Sequence, residues 1–410
     1  MFCISCGHQL RDGATFCPCC GSAQYTSAAY AASAHVNASG GATGTAGGIM
    51  DSVVNGVSDR FDQVYGATEH VGLKFSDFFS EVFKRHSKEE AEEIFITGTS
   101  ATTPDIRDAP KTWHKPWFYS RVLALLLVAF AGCVVIWQLY ENPIVLPSIM
   151  VFGSFAAPLA CLVFFFEANA EQNISFIEVL RSFVIGGIMS LIVYYPISAL
   201  FPETGTGEMV PALLTGIVEE LAKASIVALI MSRSGRHMGI LNGLVIGAAV
   251  GAGFAAFESA GYAFNAYSCR WISDAEIQGY LQQLGVSAQT MDGYRYILAT
   301  IGYPSMIHNI ILRGFLAVGG HVAWAATEGA GMSIASGNGP LKWSDLFKKE
   351  FLVLLVIPIL CHGYWDWAPL TQALSIPYLE YIALIVIIWV VLLVLLRRGL
   401  AEVNQRAREA

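Results

Sequence analysis

Glu219-Glu220-Leu221-Ala222-Lys223 sets two carboxylates and an ammonium side by side in an otherwise apolar stretch. Charged side chains in a bilayer cost about 2.5–3.5 kcal/mol each on insertion scales, so every one asks for a functional reason. Glu219 and Lys223 are four residues apart and share a helix face, while Glu220 points about 100° away. Another apolar run carries Glu258, four residues after Phe254 and four before Tyr262. A third holds Arg313 and His321, with His308 ahead of them, and a fourth holds His362 and Asp366 one helical turn apart. Carboxylates and imidazoles are the usual zinc ligands besides cysteine, and glutamate is the usual general base toward metal-bound water. A salt-bridge network or a proton relay would use the same residue types. Their spread over four separate runs favours a catalytic constellation drawn from Glu219, Glu220, Lys223, Glu258, Arg313, His321, His362 and Asp366. No inverted repeat and no clearly broken helix pair in the sequence supports a transporter.

A different metal chemistry opens the chain. Cys3-Ile4-Ser5-Cys6-Gly7 and Cys17-Pro18-Cys19-Cys20-Gly21 are two knuckles with C-x-x-C cores. Two residues between thiolates let a tight turn aim both sulfurs at one ion, so Cys3, Cys6, Cys17 and Cys20 predict a structural zinc site in a small ribbon. Residues 1–20 lack the apolar core of a secretory leader. Cys133, Cys161, Cys269 and Cys361 are scattered among the apolar stretches and read as small packing residues.

The elements that must hold these side chains follow from composition. The chain has 410 residues, 54% hydrophobic and 14% charged, against about 25% charged in an ordinary soluble domain. The deficit begins near Trp117. The expected fold is an all-α polytopic membrane protein with about eight transmembrane helices, at 117–140, 144–166, 177–201, 209–232, 239–265, 305–331, 350–368 and 376–397. The expected organisation is a zinc ribbon over 1–24, a Gly/Ala/Ser-rich flexible linker over 25–50, a cytosolic amphipathic helical arm over 51–116, the multi-span domain over 117–400 and a tail over 401–410. In the arm, Val53, Val57, Phe61 and Val64 recur at helical spacing, suited to a membrane surface, a partner or a second copy. Gly243, Gly247, Gly251, Ala255 and Ser259 form a small-residue ridge that lets a neighbouring helix approach closely. The ridge reads first as a packing surface, and the alternative is that, lying about 100° from Glu258, it also presses that carboxylate toward the acids of the fourth span. Lys and Arg concentrate in the loops on one side of the spans, which predicts both termini in the cytoplasm and a multi-pass plasma-membrane protein, with residues 267–293 as the largest outer loop. A net charge of −8 and the absence of a basic face exclude nucleic acid as an expected partner. The sequence does not choose an oligomeric state.

These motifs resemble the PrsW family of intramembrane proteases, distant relatives of the CAAX prenyl-protease and bacteriocin-immunity group. The resemblance is carried by Glu219-Glu220-Leu221-Ala222-Lys223, by Gly253-Phe254 through Glu258, by Arg313 followed by His321 and Trp324 with Thr327 and Gly331, and by His362 through Trp365-Asp366. The wider group has Arg after its double Glu, His four after Phe, and Asn after its last His. This chain has Lys223, Glu258 and Asp366 there, which matches the PrsW branch. The resemblance implies endopeptidase cleavage of a membrane-embedded substrate, as in regulated proteolysis of an anti-sigma factor. The mechanism expected with it is water activated by Glu219 or Glu220, either on a catalytic zinc held by His321, His362 and Glu258, with Asp366 as a further candidate ligand, or without metal, and an oxyanion stabilised by Lys223, Arg313 or a second His.

Overall fold

In the computed structural model, residues 46–410 are described apart from 67, 69–70, 110–114, 202–204, 375–377 and most of 270–296. Cys3, Cys6, Cys17 and Cys20 of the expected zinc ribbon, and most of the expected outer loop 267–293, lie outside the described residues. The chain divides into two units, Met1–Ile49 and Met50–Ala410. The second unit carries the helical bundle.

The described residues are helical, without strands. After α1 (Ala46–Tyr65) and α2 (Lys88–Ile96) come α3 (Phe118–Tyr140), α4 (Leu146–Glu167), α5 (Phe176–Ser198), α6 (Met209–Arg233) and α7 (Ile240–Tyr267). They are followed by α8 (Tyr303–Leu316), α9 (His321–Ser336), α10 (Lys349–Trp367) and α11 (Leu379–Glu409). Among the described residues, seven segments are long and apolar enough to cross a membrane, with α8 and α9 together making one of them. Helix α6, 25 residues long and the fourth of the eight expected spans, is not among them, and it carries Glu219, Glu220 and Lys223 buried inside the bundle. The protein is an all-α polytopic membrane protein.

Two departures from the expected pattern shape the interior. The sixth crossing is not one rod: it breaks at a 3₁₀ turn, Ala317–Gly319, and restarts as α9 with His321 as its first residue. Gly319 lies against Ile385 of α11, where a side chain would not fit, and Trp389 Nε1 donates to the freed Val318 carbonyl at 2.8 Å. The break is thus satisfied by a neighbouring helix, as lipid-embedded backbone requires. The second departure concerns the small-residue ridge. Gly243 meets the backbone of Gly329, Gly247 that of Ala325 and Gly251 that of His321. The ridge therefore seats α9 on α7, rather than driving Glu258 onto α6. A further approach, Gly216 of α6 against Gly363 of α10, brings those two helices together one turn from Glu220.

The arm residues cover the bundle itself. Val54, Phe61, Leu73 and Phe78 are buried in the same core as α4 and α11, and the Phe78 ring meets Phe164 edge-on at 5.0 Å. Adjacent arginines of α11 fasten it: Arg397 bonds Asn55 and the Leu73 carbonyl, and Arg398 bonds Asp62 and the Tyr65 and Gly66 carbonyls.

Candidate active site

Helices α6, α7, α8, α9 and α10 deliver the charged side chains to one place. Glu219, His321 and His362 each offer a ligand atom, and these three atoms lie within 4.8 Å of one another. Glu219 Oε2 is buried with no donor from the described residues, and His362 Nε2 stands 3.7 Å from it. An imidazole pair with a carboxylate is a donor set that suits zinc, and the unpartnered Glu219 oxygen suits a cation. The residues present fit a metal ion.

Behind the trio sits a second set that fixes it. Lys223 is wholly buried, and its Nζ donates to Glu220 Oε1 at 2.7 Å and meets His321 Nδ1 at 2.8 Å. The ammonium also lies over the rings of Phe254 and Trp324, at 5.0 and 5.4 Å from their centroids. Glu220 Oε1 in turn holds His362 Nδ1 at 2.5 Å. A ligating histidine ordinarily has its other ring nitrogen tied to a carboxylate in this way, which fixes the tautomer and frees Nε2. Trp324 stacks on the His362 ring at 4.6 Å and walls the site.

Toward the ends of α7 and α10, away from the arm, the cluster opens. Glu258 pairs with Arg313 and lies 3.1 Å from His321 Nε2, with 16% of its side chain accessible. Asp366 is equally accessible and stands 3.4 Å from His362 Nε2. Arg313 also donates from Nε to Ser259 at 2.9 Å and lies over the Tyr262 ring. Beyond it a 730 Å³ cavity is lined by Tyr262, Asn265, Ser305, His308 and Asn309. His308 therefore belongs to this mouth rather than to the cluster. A 520 Å³ apolar cavity on the other face of α8, bordered by Phe78, Phe130, Phe164, Phe315 and Trp389, touches none of the charged groups.

Apart from His308, the charged and imidazole side chains singled out in the membrane half thus converge, although Glu219 rather than Glu258 completes the tightest trio with the two histidines. One acid was missed. Glu328 of α9 is fully buried among them, seven residues after His321 and hence on nearly the same face. The rule that flags Glu258, an acid in an apolar run, applies to it equally.

A family model described as PrsW family intramembrane metalloprotease matches residues 174–396, the stretch that supplies every one of these groups. No curated protein and no solved structure is matched.

Proposed function

This chain belongs to the PrsW family of intramembrane metalloproteases, and from that premise we propose that it cuts a single-span membrane protein, such as an anti-sigma factor, with zinc held by Glu219, His321 and His362. The observation that carries the reading is the convergence of those three ligand atoms from three helices within 4.8 Å. When bound, the metal supplies Lewis-acid polarisation and lowers the pKa of water. Asp366, 3.4 Å from His362 Nε2, flanks the same position.

The protein's own residues divide the remaining work. Glu258 accepts the proton of the attacking water and returns it to the leaving amine: it is the accessible carboxylate beside His321, and Arg313 pairs with it and holds it in place. Relative to the sequence reading, Glu219 and Glu258 exchange roles. Arg313, lying between Glu258 and the open mouth, stabilises the oxyanion of the scissile carbonyl. Glu220 and Lys223 lie too deep to meet a substrate and instead orient His362 and His321. The substrate enters from the side where Glu258 and Asp366 open. With the Lys- and Arg-rich loops in the cytoplasm, that side is the outer half of the plasma membrane, and the termini are cytoplasmic. The four N-terminal cysteines hold a second, structural zinc.

Reconstitution with a single-span reporter tests the reading. E219Q, H321A and H362A each lower cleavage by roughly 10²-fold or more while the protein stays inserted and folded. Normal cleavage by all three variants would refute it.

A further inference from the structure

The 730 Å³ cavity beyond Arg313 has no task in the mechanism above. Its walls follow from the way α7 and α8 pair. The two helices run antiparallel: Arg313 Nε donates to Ser259 at 2.9 Å, and Gly302, just ahead of α8, lies against the Tyr267 carbonyl where a side chain would not fit. Ala263, Ala266, Met306 and Ile310 are buried together along the seam. Beside that seam α7 carries Glu258, Tyr262 and Asn265, and α8 carries Ser305, Asn309 and Arg313. Each set recurs at three or four residues and so shares one helix face. Glu258 and Arg313 form the inner end, at the catalytic cluster, and the other four line the cavity with His308. The polar part of the described lining is thus hydroxyls, carboxamides and one imidazole, with no carboxylate and no Lys or Arg. Asn309 Oδ1 is buried there, and no donor from the described residues reaches it. A buried acceptor left in that state is costly, and a bound donor removes the cost.

A single-span substrate arrives as a helix whose peptide groups bond one another. Attack on one of its carbonyls requires that the helix be opened there, and each opened residue then exposes an N–H and a C=O that hydrocarbon cannot satisfy. A carboxamide offers a partner for each, an acceptor oxygen and a donor NH₂. Glu258 and Asn265 are seven residues apart on α7, about 10 Å along the helix, which about three extended residues span. We propose that the cavity holds the substrate as an extended strand over about three residues on the mouth side of the scissile bond, with Asn309 Oδ1 accepting a backbone N–H and Asn265 bonding a neighbouring peptide group. Recognition of this kind reads backbone rather than side chains. It selects single-span proteins whose segment beside the cut opens readily, and it rejects proline at the clamped residue, which has no N–H to give. The proposal rests on the proteolytic reading, with Glu258 as the group that meets the water.

Equilibrium binding of synthetic single-span reporters to the full-length E219Q protein in lipid nanodiscs tests the clamp without turnover. Each reporter of a series carries one N-methyl group, on a different peptide nitrogen in the outer half of the span. One position is expected to bind roughly tenfold more weakly than the unmodified reporter, and to lie within about three residues of the bond that the wild type cuts. In E219Q/N309L the unmodified reporter is expected to weaken by the same factor, with no further loss on methylation at that position, because the bond is already gone. N309A serves the same cycle where N309L does not fold. Equal binding of every methylated reporter, or a methyl effect undiminished without the Asn309 carboxamide, would overturn the proposal. Rapid cutting of the reporter by E219Q would instead sink the proteolytic reading, and the binding cycle would still decide whether the cavity grips an extended backbone.

Discussion

Lys223 shows how a charge is made tolerable in the middle of a membrane helix. Its ammonium is fully enclosed, yet it has a carboxylate, an imidazole nitrogen and two aromatic faces around it. Removing one member of a buried pair strands the other, at about 3–5 kcal/mol. K223M is therefore expected to destabilise the protein by that order and to loosen both histidines, as read from unfolding in mixed micelles. An unchanged unfolding curve would mean that Glu220 has another counter-charge. At this scale the sequence was highly legible. Acids, bases and imidazoles stand out in apolar runs, and Glu219, Glu220, Lys223, Glu258, Arg313, His321, His362 and Asp366 do meet. Which of them lie against which was not legible, because helical spacing gives the face of a side chain but not which partner that face meets. Glu258 and Glu219 look alike in sequence, yet one lies beside Arg313 and the other beside His362.

Helices α7 and α9 carry the precision of the site through their backbones. With Gly243, Gly247 and Gly251 against the backbone of α9, the two helices approach more closely than any side chain would permit. That contact fixes His321 over Glu258. G247V is expected to cost about 1–3 kcal/mol or more through overpacking and to displace His321, so that cleavage falls further than stability alone explains. Thermal unfolding and reporter cleavage, measured on the same preparation, check this. Equal losses in both would reduce the ridge to general packing. The four-residue repeat was readable in the sequence, but its partner was not. The break at Ala317–Gly319 was also hidden. Gly319-Gly320 permits a break, yet what makes one acceptable is the Trp389 indole reaching the Val318 carbonyl from a helix some seventy residues later in the chain.

Over the whole molecule, the arm is part of the membrane unit rather than a free appendage. Part of its apolar face, which the sequence left open to lipid, a partner or a second copy, packs into the core with α4 and α11 through Phe61 and Val57, while Val53 and Val64 stay exposed, and Arg397 and Arg398 bind its backbone. The sequence could not choose, because an amphipathic pattern specifies an apolar neighbour without identifying it. This packing also dictates how the metal should be sought. Deleting residues 1–110 would strip Val54, Phe61, Leu73 and Phe78 from the core, whereas replacing Cys3, Cys6, Cys17 and Cys20 by serine leaves the arm in place. The decisive measurement is the zinc content of the purified full-length protein carrying those four serines, with and without H362A. About one zinc per chain is predicted to remain in the four-serine protein and to be lost with H362A, as expected for a site built on two imidazoles and a carboxylate. No zinc in the four-serine protein, with its fold intact, would contradict the account.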